Sequence, residues 1–104
     1  MNTQEKIKQQ ITDNNIILYM KGNAELPMCG FSARAVNILK SAGAKFATVD
    51  VLQDEEIRQG IKVFSSWPTI PQLYVKGEFI GGSDIIAEMF EAGELQELIK
   101  SIEK

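Results

Sequence analysis

Cys29 is the only cysteine of the chain, and no histidine accompanies it. One thiol cannot form an intrachain disulfide, so any disulfide at Cys29 joins another molecule. A metal held there must likewise draw its remaining ligands from elsewhere. Cys29 is flanked by Pro27 and Gly30 and stands where a loop runs into a helical pattern. The first N–H groups of a helix lack internal partners and its dipole is positive there, so a thiolate is favoured over a thiol. Lys21, on the same loop, can add positive charge. The competing reading is a buried, inert cysteine. Ser32 occupies the place of the second cysteine in a C-x-x-C motif. It cannot resolve a mixed disulfide as a second thiolate would. Its hydroxyl either donates to the Cys29 sulfur or is an ordinary first-turn helix serine.

Three further segments carry binding chemistry. Ile70-Pro71 directly precedes an apolar strand pattern, and proline, with no N–H, must start or edge that strand. A cis Ile70–Pro71 bond would turn the Ile70 N–H and C=O outward to meet an extended peptide; a trans turn is the commoner form of an X-Pro bond. Gly81-Gly82-Ser83-Asp84 opens a helix, where free N–H groups suit a carboxylate and Asp84 suits an ammonium; Gly-Gly before a helix is also a common loop. Lys21 and Arg58 either hold a second carboxylate or are solvated surface charges. Trp67 reads as core or rim packing sooner than as a binding platform.

These residues need elements to hold them. Ile7 and Ile11 mark an amphipathic helix over Thr3–Thr12, and Asp13-Asn14-Asn15 ends it. Ile16–Met20 reads as a strand buried on both faces. Lys21–Met28 is a loop. The spacing of Phe31, Ala35, Val36, Ile38 and Leu39 predicts a helix that stops at Gly43. Lys45–Val51 is a second strand, and Asp54–Val63 a polar helix with Asp54 as its N-cap. Gln72–Val75 and Glu78–Ile80 form a hairpin about Lys76-Gly77. Helical stretches Asp84–Phe90 and Glu94–Ile102 follow, broken at Gly93. Helices between the early strands imply a parallel pair, and the hairpin adds an antiparallel one. The expected fold is α/β, a four-stranded mixed sheet with helices on both faces, in one domain over 1–104.

Composition narrows the field. At 104 residues, 44% hydrophobic and 24% charged, the chain has the make-up of an ordinary globular domain. A formal charge of −3 disfavours a nucleic-acid partner. The longest apolar run, Ile16–Met20, is far short of the ~20 residues that span a membrane. The amino terminus lacks the basic-then-apolar order of a secretory signal, which points to the cytoplasm, or to an organelle matrix if the chain is a trimmed form.

Cys29-Gly30-Phe31-Ser32 after Lys21 and an extended loop, then Trp67-Pro68-Thr69-Ile70-Pro71-Gln72, then Gly81-Gly82-Ser83-Asp84, together resemble the monothiol, CGFS-type glutaredoxins of the short single-domain class. The likeness spans nearly the whole chain. It implies a thioredoxin-like fold with Pro71 in the cis form. It implies a glutathione groove: Ile70 offering its backbone, Lys21 and Arg58 facing the glycine carboxylate, and Gly82, Ser83 and Asp84 taking the γ-glutamyl end. Family members share a [2Fe–2S] cluster between two subunits, pass it to apo iron–sulfur recipients, and have BolA-like proteins as partners. The thiol count agrees: such a cluster takes four thiolates, two chains supply two, and two glutathiones can complete the set. Many members carry a cysteine where this chain has Ser83, so a disulfide from that position to Cys29 is closed to it. The expected function is therefore glutathione-dependent cluster binding and transfer by a homodimer. The alternatives are a weak glutathione-dependent oxidoreductase, in which Cys29 attacks glutathionylated proteins, and a purely interacting domain with an inert thiol.

Overall fold

The computed structural model describes residues 1–102. In chain order the elements are α1 (Thr3–Asp13), β1 (Ile16–Met20), α2 (Gly30–Ser41), β2 (Ala47–Asp50), a short 3-10 turn (Val51–Gln53), α3 (Glu55–Ser65), β3 (Gln72–Val75), β4 (Glu78–Gly81), α4 (Ser83–Glu91) and α5 (Glu94–Ile102). The strands form one sheet in the order β2-β1-β3-β4. β1 runs parallel to β2, with Leu18 opposite Thr48, and antiparallel to β3, with Leu18 opposite Leu73. β3 and β4 form the antiparallel hairpin.

The apolar run of β1 divides by the twofold alternation of a strand. Ile16, Leu18 and Met20 point to one face and pack with Ala35, Val36 and Leu39 of α2, Ile86 of α4, and Leu95 and Ile99 of α5. Ile17 and Tyr19 point to the other, against Ile7 and Ile11 of α1 and Ile57 and Ile61 of α3. All five β1 residues are buried, so the central strand is clamped by helices on both sides. This is the expected mixed sheet of thioredoxin-like type. No helix among the described residues is long and apolar enough to cross a membrane.

The boundaries follow local chemistry. Asp54 caps α3 as expected, its carboxylate accepting from the Ile57 N–H at 3.1 Å, but the helix continues past Val63 to Ser65. The strand expected over Lys45–Val51 is shorter. Asp50 ends it, because its carboxylate accepts from the Leu52 N–H at 2.9 Å and so curls Val51–Gln53 into a turn. Lys76 and Gly77 both have positive φ, which gives the hairpin a turn matched to strand twist. α4 begins at Ser83, one residue earlier than expected, with Gly82 as its N-cap.

One glycine is required by packing. Gly22 has φ +88°, and a Cβ there would stand 2.5 Å from the Leu26 carbonyl oxygen and 2.6 Å from the Met28 nitrogen, both backbone atoms that cannot swing away. Gly22→Ala is therefore expected to lower stability by at least ~1–2 kcal/mol from backbone conformation alone. An unchanged urea midpoint would show that the loop yields freely.

Candidate functional site

The strand directions collect the chemistry at one edge of the sheet. β1 and β2 end there, β3 begins there, and β4, antiparallel to β3, ends there. The loop to Cys29 leaves β1, the turn into α3 with Arg58 leaves β2, Ile70-Pro71 enters β3, and Gly82-Ser83-Asp84 leaves β4. In open α/β sheets this is the end at which ligands sit.

The Cys29 loop is built by backbone hydrogen bonds. The Asn23 side chain accepts from the Glu25 N–H at 3.0 Å and the Leu26 N–H at 2.8 Å, which folds the tip. The Met28 N–H donates to the Lys21 carbonyl at 2.9 Å, closing the loop beside Cys29. The Gly22 N–H donates to Asp50 at 3.0 Å, fastening the loop to the end of β2. The Lys21 N–H donates to the Ser32 hydroxyl at 3.1 Å, which ties the loop to the first turn of α2. Ser32 is fully buried there, so it is a structural bridge as well as a neighbour of the sulfur.

Cys29 is the N-cap of α2 and is half-buried. Its side chain makes no full capping hydrogen bond. The amide N–H of Ser32 nevertheless does most to hold the thiol pKa below its ordinary 9.0. Partial burial works against this, while the Phe31 N–H, the Ser32 hydroxyl and the Lys21 charge add to it. The Ser32 hydroxyl thus accepts from the Lys21 N–H in the first turn of α2 and also helps to lower the thiol pKa. Partial exposure and a lowered pKa both weigh against an inert cysteine. Leu26, Met28 and Phe31, close to Cys29 in the chain, are each more than 60% exposed.

The remaining residues lie at the same edge of the sheet. The Ile70–Pro71 peptide bond is cis, as the family resemblance implies. Ile70 and Pro71 are buried. Gly82 packs onto them: a Cβ at Gly82 would lie 3.3 Å from the Pro71 carbonyl oxygen and 4.0 Å from the Trp67 indole nitrogen. The start of α4 therefore adjoins the Ile70-Pro71 segment directly. Trp67 is 45% exposed and tilts against Phe79 at 6.1 Å, so it lies at the rim, as expected. Ser83 is buried at the α4 N-terminus. Arg58 reaches Glu55 only at 3.9 Å, and its Nε is buried with no hydrogen-bond partner among the described residues. A guanidinium so placed retains donors for an incoming carboxylate.

Three residues of the site were not singled out as site residues in the sequence. Arg34 of α2 pairs with Asp84 at 3.3 Å across to α4. The Asp84 side chain is 85% exposed, so this ion pair is weak and a ligand ammonium can replace it. Asp50 anchors the Cys29 loop through Gly22, and Gln72 is a fully buried amide directly after Pro71. Only Gln72 carried a sequence signal, a polar residue heading the apolar run Leu73-Tyr74-Val75. A hollow of about 540 Å³ between α2 and α4 touches Gly30, Arg34 and Phe90 but not the sulfur, so the site is an open edge and not that hollow.

Comparison with known proteins follows the same lines. The family described as Glutaredoxin matches residues 16–80. A Synechocystis protein named an uncharacterized monothiol glutaredoxin ycf64-like is 54% identical over 98 residues, covering 94% of this chain and 92% of that protein. Glutaredoxin 4 of Escherichia coli K12 is 55% identical over 98 residues, covering 94% of this chain and 85% of that one. The solution structure of reduced poplar apo GrxS14 superposes with a TM-score of 0.81 at 47% identity, over 94% of this chain and 90% of that chain. A monomeric truncated mutant of Trypanosoma brucei 1-C-Grx1 gives a TM-score of 0.86 at 37% identity, over 97% and 91%. With one half-exposed thiol at the mouth of α2 and this likeness along nearly its whole length, the chain belongs to the glutaredoxin family and to its monothiol type.

Proposed function

We propose that this monothiol glutaredoxin binds glutathione along the sheet edge and, as a glutathione-ligated homodimer, carries a [2Fe–2S] cluster to recipient proteins. The observation that carries the proposal is a single, partly exposed sulfur whose pKa is lowered by the α2 N-terminus, with no second thiol in the chain to turn it toward internal disulfide chemistry. Thiolates are the ligands such clusters require. Each chain contributes one, and two glutathione thiolates complete the four.

The glutathione assignment rests on charge and backbone geometry. The Arg58 guanidinium, held only by a long ion pair to Glu55 and with its Nε without a partner among the described residues, suits the glycine carboxylate together with Lys21. The Ile70 backbone suits the tripeptide main chain. The N-terminus of α4 at Gly82 and Ser83, with Asp84 beside it, suits the γ-glutamyl carboxylate and ammonium. Because glutathione is not covalently attached, a recipient cysteine can take its place on iron, which is the release step. Apo iron–sulfur proteins are the recipients in this reading, BolA-like proteins the further partners, and the cytoplasm or an organelle matrix the setting.

The lowered thiol pKa also supports a second reaction, reduction of glutathionylated proteins. The Cys29 thiolate attacks the glutathione sulfur, and the protein thiolate leaves with the electron pair. A second glutathione thiolate then attacks the Cys29–glutathione disulfide, releasing oxidised glutathione and regenerating the Cys29 thiolate.

Anaerobic reconstitution with iron, sulfide and glutathione is expected to give visible-region cluster absorption on a dimer, lost without glutathione and lost in Cys29→Ser. No absorption in the wild type, or absorption that survives Cys29→Ser, overturns the carrier reading. Glutathione-dependent turnover of a small mixed disulfide at the rate of two-cysteine glutaredoxins would instead favour the reductase.

Two measurements probe the site itself. The alkylation rate of Cys29 should inflect below pH 9.0, and Ser32→Ala should move the inflection upward by removing one of the groups that favour the thiolate. Since the folded value lies below the unfolded one, ionisation stabilises the fold fully above pH 9.0, and the gain fades as pH falls through the folded value. Cys29→Ser should flatten that rise of stability with pH. Arg58→Gln should weaken glutathione binding by roughly tenfold, the size of a charged hydrogen bond, read by calorimetric titration.

A further inference from the structure

Among the described residues the buried polar side chains are Ser32, Gln72 and Ser83. The two serines belong to the site already described. Gln72 is the one carboxamide among them, it is 0% exposed, and no step above uses it. Every polar atom of its side chain is engaged. Its Nε2 donates to the Trp67 carbonyl and to the Thr69 carbonyl, both at 3.1 Å, and its Oε1 accepts from the Tyr74 hydroxyl at 3.1 Å. The orientation is dictated by chemistry: two carbonyls can only accept, so the amide nitrogen must face them.

We infer that Gln72 is a positioning residue for the bound tripeptide, holding the Thr69–Ile70 peptide so that the Ile70 N–H is presented to the groove. The Thr69 carbonyl and the Ile70 N–H belong to one rigid, trans peptide plane and point in opposite directions. Drawing that carbonyl in toward the buried amide turns the N–H away from Gln72. Among the described residues no protein acceptor takes up the Ile70 N–H, so it remains available. The second bond, to Trp67, braces the other end of the same loop, where the Ser65 hydroxyl is a looser partner of the carbonyl at 3.4 Å. Gln72 itself is fully buried. It acts through Ile70, and the inference rests on the glutathione reading above.

Solution NMR of the intact protein tests the clamp without any ligand. In the wild type the Gln72 side-chain amide protons should be protected from solvent exchange, and fast exchange would overturn the inference. Gln72→Met keeps the length and removes all three bonds; Gln72→Glu keeps the acceptor toward Tyr74 and removes the carboxamide donors. In both, the Ile70 amide resonance should move and glutathione binding should weaken by roughly tenfold, with the pH profile of Cys29 alkylation unchanged. Tyr74→Phe, which spares both carbonyl bonds, should alter binding by less than about twofold. Wild-type glutathione affinity in both Gln72 variants, or an unmoved Ile70 amide, overturns the clamp. So does a parallel collapse of glutathione binding and of the alkylation profile, because that is the mark of general loosening. A wild type that binds no glutathione defeats the underlying reading instead, and protected Gln72 protons with a shifted Ile70 amide in the variants would identify that failure as separate.

Discussion

A thiolate at a helix mouth must satisfy two demands that oppose each other. It needs nearby N–H groups and positive charge, which the folded chain supplies only at close quarters, and it needs access, which close packing removes. Cys29 meets both because it is the N-cap of α2 and no deeper. Its strongest support comes from the Ser32 N–H one turn into the helix, and the accompanying burial is only partial. If Cys29 lay one turn further along α2, the amides would be spent on helix hydrogen bonds; one turn earlier, the field would have faded.

That placement is only as good as the two anchors behind it. β1 ends at Met20 with every residue buried, so Lys21 leaves the sheet from a fixed point. α2 packs its Ala35, Val36 and Leu39 against the same face of the sheet. Between them the loop is spanned by the Lys21–Ser32 and Gly22–Asp50 hydrogen bonds, the first to α2 and the second to β2. The sulfur is thereby referenced to three elements at once. The Ile70-Pro71 segment has its own support in Gln72, and Gly82 leans on Pro71. Two halves of one edge are thus held independently and meet over open surface.

A single thiol also sets the chemistry that such an edge can perform. Without a resolving partner, every covalent or coordinate bond at Cys29 needs a group from solution or from a second chain. An open edge with a loosely paired guanidinium, a free backbone N–H and an exposed carboxylate suits that dependence better than a closed cavity would. The exposed side chains of Leu26, Met28 and Phe31 give an approaching surface something to cover.

Much of this was legible in the residues alone, because it depends on neighbours in the chain or on simple inventory. A single cysteine rules out an internal disulfide however the chain folds. Asp54 caps a helix and Lys76-Gly77 turns a hairpin through interactions that span only three or four residues. The strand ends were less legible, since Asp50 stops β2 with a side-chain bond that a hydrophobic pattern does not register. Tertiary structure alone decided the rest. Whether Asp84 is free or paired depends on Arg34, fifty positions away in sequence, and the anchoring of the Cys29 loop depends on Asp50, twenty-eight positions from Gly22. Gln72 is close in sequence to the carbonyls it holds, yet only burial of β3 makes those bonds its sole recourse. Local backbone preferences and ligand counts are written in order along the chain; contacts between distant residues exist only once packing has brought them together.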